Sequence, residues 1–264
     1  MIGVFDSGVG GLTVLKEIHK ELPGYDTIYF GDSARYPYGN LSDAVLKQYA
    51  TEDAQFLVSK GAKVIVVACN SASVAAGDLL RTNLSVPVFD VSRAPIEKAL
   101  QVTKNKKIAV IGTRATIASH RHEQLLTEED SSVKVFAVAT PLLVPLVEER
   151  AWRYPEAMRI LRRYLRPLKD AQVDTLILGC THYPLIEKQI QRIMGKRVHI
   201  VSSGRATAEA LRTYLENNQE RAVAVSQKGQ EYYFVSGDVQ QFKQTAAEWL
   251  GKKITATSAA ALNV

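Results

Sequence analysis

Cysteine occurs only twice in the 264 residues, at Cys69 and Cys180. Two thiols cannot build a disulfide framework, so the fold must stand on an apolar core. No apolar run approaches the roughly 18 residues that a membrane-crossing helix needs, and no such helix is expected. The opening MIGVFDSG is strand-like at once. It lacks a basic region followed by a long apolar core, so no signal peptide is expected and the expected compartment is the cytoplasm. Histidine is sparse too. His19, His120, His122 and His199 show no metal-ligand spacing, and His120 and His122 would point to different faces of a helix, so no metal site is expected. Phosphate-binding loops are also missing. DSGVGGLT has neither the GK[ST] ending of a P-loop nor a GxGxxG spacing. Its glycines are better read as allowing a tight strand-to-helix turn, whose helix start can still hold a carboxylate.

What is present is ordinary globular material. Hydrophobic residues make up 46% and charged residues 23%, which is enough for a large core and argues against disorder. The net charge is +6, with the densest basic stretch at Arg150, Arg153, Arg159, Arg162, Arg163 and Arg166. That stretch reads as a solvated helix face. It has no nucleic-acid module pattern, so nucleic acid is not an expected partner, and the mild positive balance suits small anionic substrates.

Apolar strand-like runs alternate with helix-period segments along the whole chain. Strands are expected at 2–5, 26–30, 63–68, 86–91, 107–111, 133–138, 174–178, 197–201 and 230–235. Helices are expected at 12–22, 42–60, 73–81, 117–126, 155–171, 185–194, 206–217 and 239–250. Such alternation implies parallel sheets covered by helices on both faces. The chain also repeats itself. The strand before Asp6 answers to the one before Thr113, and the strand before Cys69 to the one before Cys180. The expected fold is therefore α/β: two pseudo-symmetric doubly wound parallel-sheet domains with the active site in the cleft between them.

Each cysteine sits at the carboxyl end of a continuous apolar run, KVIVVACNSAS and VDTLILGCTHYP. Open α/β sheets bind ligands at that end. A thiol with a pKa near 8.5 can serve as base in one protonation state and as acid in the other. Two thiols facing one carbon from opposite sides can invert it, one removing a proton and the other delivering one, with no cofactor. Asp6 is a candidate partner for Cys69, and His182 for Cys180. Each residue has a plainer reading as well. A lone buried cysteine is usually a small apolar filler, Asp6 can cap the glycine-rich turn, and His182 before Tyr183-Pro184 can be structural.

Six motifs resemble those of the glutamate racemases, within the aspartate/glutamate racemase superfamily. They are IGVFDSGVGGLT (2–13), YFGDSARYPYG (29–39), ACNSAS (68–73), IGTRATIAS (111–119), PLVE (145–148) and DTLILGCTHYP (174–184), in the family's order and over nearly the whole chain. The resemblance implies cofactor-independent interconversion of L- and D-glutamate, with D-glutamate destined for peptidoglycan. It places the two catalytic acid–bases on Cys69 and Cys180. It places their helpers on Asp6 and His182, with Glu148 supporting the histidine. Substrate contacts fall on Asp6, Ser7, Tyr38, Gly39, Asn70, Ser71, Thr181 and His182, with Thr116 a further candidate. By the same resemblance Cys180 serves L-glutamate and Cys69 D-glutamate. One domain comprises 1–93 with 206–264 and the other 94–205, and a homodimer is expected. Three places depart from the family pattern. Ser71 and Ser33 stand where threonine is common, and FDVSRAP (89–95) lacks the usual Glu-Pro-Gly type of sequence. The rival readings are an aspartate or other amino-acid racemase of the superfamily, against which GCTHYP argues, and a relative that binds a ligand in the cleft without catalysis.

Overall fold

All strand pairings in the computed structural model, which describes residues 1–259, are parallel. The elements follow in order β1 (Ile2–Asp6), α1 (Leu12–Glu21), β2 (Thr27–Gly31), α2 (Asp43–Ser59), β3 (Val64–Val67), α3 (Asn70–Asn83), β4 (Val88–Asp90) and α4 (Ala94–Val102). The middle of the chain gives β5 (Lys107–Gly112), α5 (Arg114–Ala118), α6 (Arg121–Glu129), β6 (Lys134–Ala139), α7 (Leu143–Glu148), α8 (Pro155–Asp170), β7 (Thr175–Gly179), α9 (Glu187–Met194) and β8 (His199–Ser202). The last stretch gives α10 (Ser203–Asn217), α11 (Gln219–Ala224), β9 (Glu231–Val235), α12 (Val239–Leu250) and β10 (Ala256–Ser258).

Two sheets result. One has the order β10-β9-β2-β1-β3-β4, the other β6-β5-β7-β8. The run β2-β1-β3-β4 repeats as β6-β5-β7-β8, so the internal repeat read from the sequence is a repeat of topology. The fold is two α/β domains, each built on a parallel sheet.

The sheets are covered on both faces, and the pleat shows it. Val64 and Val66 of β3 enter one apolar cluster with Val4, Leu15 and Ile18, while Ile65 and Val67 enter a second with Leu46, Leu57 and Ala76. In the other domain Ala109 and Ile111 of β5 face Leu161 and Leu165, and Ile108 and Val110 face Leu125 and Leu126. Side chains alternate between faces, and both faces need an apolar residue. That is why these strands read as unbroken apolar runs rather than as alternating ones.

Several boundaries differ from the sequence expectation. α3 starts at Asn70, three residues early, because its first turn is made of buried polar residues that carry no apolar periodicity. The helix expected at 117–126 is two helices, broken at His120, whose φ of 53° lies in the left-handed region. α4, α7, α11 and β10 were not anticipated. Among the described residues no helix is long and apolar enough to cross a membrane.

Candidate active site

β3 and β7 occupy equivalent places, each beside the strand that opens its own domain, and Cys180 follows β7 directly while Cys69 lies two residues past β3. Both thiols are 6% exposed and both line one cavity of about 210 Å³ between the two sheets' carboxyl ends. That volume lies below the range of roughly 300–1,000 Å³ usual for drug-sized ligands, and suits a small metabolite.

The surroundings of the two sulfurs differ. The Cys69 thiol donates to Ser7 Oγ at 3.8 Å. Burial, then the neighbouring Asp6 carboxylate, push it up to about 12, so it holds its proton. Asp6 lies under the cavity floor rather than on its wall. Its Oδ2 accepts from the Gly8 N–H at 3.0 Å, while buried Oδ1 has no partner. Burial raises the Asp6 carboxyl, with the charge of His182 acting the other way.

Cys180 faces a histidine. His182 Nδ1 stands 3.9 Å from the sulfur, and Nε2 is 2.9 Å from Glu148 Oε1. Burial alone would lower the imidazole pKa. The bonds to Cys180 and Glu148 outweigh it and hold the ring at about 10, so His182 is protonated at neutral pH. Trp249 of α12 packs its ring edge-on against the imidazole, centroids 5.5 Å apart, which fixes the ring plane.

Asn70 is the plainest ligand-seeking group. It lines the cavity, it is buried, and neither its amide nitrogen nor its oxygen has a partner among the described residues. A buried amide left so costs stability unless something binds it. It opens α3, where Cys69 is the capping residue and no side chain caps the first-turn N–H groups. Ser71 Oγ meets Thr113 Oγ1 at 2.9 Å, which ties α3 to the start of α5 across the cleft.

Ser7, Tyr38, Gly39, Asn70, Ser71, Glu148, Thr181 and His182 all line the same cavity as the two cysteines. Three expected contacts sit differently. Tyr38 turns its hydroxyl away, donating to Asp32 and lying 3.0 Å from Asp53 Oδ2, so only its ring and backbone are left for a ligand. Thr116 is buried behind the wall and reaches the site through Thr113 Oγ1 at 3.0 Å, and Asp6 is likewise one layer back. Gly39 serves by lacking a side chain: a Cβ there would stand 2.9 Å from Thr113 Cβ.

Sequence reasoning passed over Thr113, Arg114 and Tyr36, which also line the cavity. For Thr113 a signal existed, since its turn is the repeat counterpart of the Asp6-Ser7 turn. Among the described residues no cluster of three or more His, Cys, Asp or Glu side chains is placed to hold a metal ion.

The family model for Asp/Glu/hydantoin racemases matches residues 2–250. A glutamate racemase of Geobacter metallireducens is 44% identical over 254 residues, covering 96% of this chain and 93% of that protein. The crystal structure of a glutamate racemase isoform from Bacillus anthracis superposes with a TM-score of 0.93 at 39% identity, over 99% of this chain and 97% of its own. That of the Francisella tularensis glutamate racemase, in complex with D-glutamate, gives 0.88 at 30% identity, over 97% and 95%. With motifs, topology and cavity in agreement over nearly its full length, the chain belongs to the Asp/Glu/hydantoin racemase family and, within it, to the glutamate racemases.

Proposed function

We propose that this chain interconverts L- and D-glutamate by a two-base mechanism without a cofactor. The observation that carries this reading is the pair of cysteines at equivalent strand ends of two repeated domains, both opening on one small cavity. The protonation of their neighbours gives each a starting role. Cys180, with the His182 imidazolium beside it, acts as the base that removes the α-proton of L-glutamate. Cys69, a neutral thiol, delivers its proton to the opposite face of the same carbon. The reverse direction exchanges the roles, and Asp6 then helps Cys69 shed its proton.

Asn70, Ser71 and the first-turn N–H groups of α3 would hold the α-carboxylate. There they stabilise the negative charge that develops during deprotonation, in a site dry enough to strengthen each contact. Thr181 and Ser7 supply further hydroxyls. Glutamate as substrate is supported by the names of the relatives at 44% and 39% identity. On the motif resemblance we also propose that the product serves peptidoglycan synthesis in the cytoplasm. The protein would act there as a homodimer whose jaws are residues 1–93 with 206–264 and residues 94–205.

The test is incubation of the purified protein with L-glutamate in D₂O, with chelator and no added cofactor. Optical rotation and the α-proton signal should vanish together. Loss of the proton signal with rotation retained would mean that only one face is served, against the two-base reading. If neither changes with glutamate but both do with aspartate, the substrate assignment falls.

A further inference from the structure

A cavity that takes an amino-acid dicarboxylate gains from positive charge beyond its neutral donors, and this one has little. Among the residues lining it, only His182 and Arg114 can be cationic. His182 is committed to Cys180 and Glu148. The Glu148 carboxylate itself lines the cavity and repels an incoming anion.

Arg114 opens α5 at the cavity rim and is exposed. Several other arginines are neutralised. Arg35 pairs with Asp32, Glu52 and Asp53, Arg81 with Asp78 and Asp90, Arg121 with Asp78, and Arg150 with Glu248. Arg114 has no carboxylate partner among the described residues. The backbone that carries it is nonetheless held firmly. Thr113 caps α5 by accepting from the Thr116 N–H at 3.2 Å, bonds Ser71 across the cleft, and packs against Gly39. A fixed anchor with a free guanidinium at the mouth is the arrangement of a capture group.

We propose that Arg114 is the charge-selecting residue of this site, engaging the side-chain carboxylate of the amino acid as it enters and holding it at the rim. This rests on the glutamate reading above. Hydroxyls and amides inside the cavity can hydrogen-bond a carboxylate or a neutral amide alike. An unpaired guanidinium attracts only the carboxylate, and acts over a longer range. Arg114 therefore sets the preference for glutamate over glutamine and the affinity for it, and takes no part in proton transfer.

The test compares wild type with Arg114→Gln and Arg114→Lys. Arg114→Gln should raise KM for glutamate about three- to tenfold, the scale of one partly screened charge, and leave kcat within about twofold. It should also flatten the fall of kcat/KM with ionic strength and narrow the gap between glutamate and glutamine as competing ligands. Arg114→Lys should restore most of each effect. Unchanged KM and salt dependence in Arg114→Gln would overturn the proposal, as would a loss confined to kcat. Calorimetric Kd values for D-glutamate with wild type and Arg114→Gln separate this from the reading beneath it. If the wild type binds glutamate but does not racemise it, the two-base reading falls, while a weaker Kd in the variant still upholds Arg114. Equal Kd values overturn Arg114 alone.

Discussion

Replacing Gly10 by alanine should disable catalysis without unfolding the protein. Gly10 lies in the turn after β1, yet its Cα faces the other domain. A Cβ built there would stand 2.1 Å from Thr181 Oγ1, 2.7 Å from His182 Cε1 and 2.8 Å from His182 Nδ1. Ordinary contact begins at 3.4 Å. The Cys180 side must therefore retreat by about 1 Å, a displacement that can cost a reaction of this kind on the order of 100-fold. The retreat also stretches the bond that Thr13 Oγ1 donates to the Thr181 carbonyl, now 2.7 Å. Stability should fall only by the usual cost of overpacking, about 1–3 kcal/mol. The assay is kcat by polarimetry on glutamate, with thermal unfolding followed in parallel. Gly8→Ala, in the same turn, is the control. Its Cβ would meet the Tyr36 ring at 3.5 Å, an ordinary contact, and should leave kcat near wild type. A fully active Gly10→Ala, or equal damage from both substitutions, would refute the reasoning.

Three further outcomes are expected. His182→Asn removes the ring that links Cys180 to Glu148 and should slow removal of the L-glutamate α-proton by about 100-fold or more. The equilibrium constant of a racemisation is one, so kcat/KM must stay equal in the two directions. The asymmetry is read instead from isotope effects with α-deuterated L- and D-glutamate, and equal effects would contradict a one-sided role. Because His182 titrates at about 10, its proton is held through neutral pH, and racemisation should fall as the pH rises through that value, a limb missing in His182→Asn. His122 gives a stability test: burial holds its pKa at about 4 against 6.5 in the unfolded chain. The unfolded chain therefore binds a proton that the folded one refuses, and stability should drop by about 3 kcal/mol as pH falls from 6.5 to 4. His122→Phe should flatten that slope in urea titrations at successive pH values, and an unchanged slope would show that His122 is not its source.

The sequence made some of this plain and hid the rest for physical reasons. β3 and β7 were legible because strands buried on both faces are continuously apolar, and the cysteines at their ends stood out against a chain with no others. The start of α3 was not legible. Asn70, Ser71 and Ser73 are buried polar residues, the first two at the cavity wall and the third bonded to the Val67 carbonyl, and they form no apolar stripe, so periodicity passes over them. The break at His120 rests on one left-handed residue with no glycine to announce it. Relations across the cleft leave no local pattern at all. Nothing near Gly10 signals that His182, far along the chain, fills the space where a Cβ would go. Nothing near Tyr38 signals that Asp32 and Asp53 draw its hydroxyl out of the site. Arg114 was invisible for a similar reason, since what distinguishes it from the chain's many other basic residues is that it lines the cavity without a carboxylate partner there, a relation in space rather than in sequence.

The account turns on two sulfurs acting from opposite faces of one carbon, and single replacement of each tests it most directly. Cys69→Ala and Cys180→Ala should each keep the fold, since each removes one sulfur from a packed wall, and each should abolish racemisation of both L- and D-glutamate. Substantial racemisation by either variant, with folding verified by circular dichroism, would contradict the two-base mechanism.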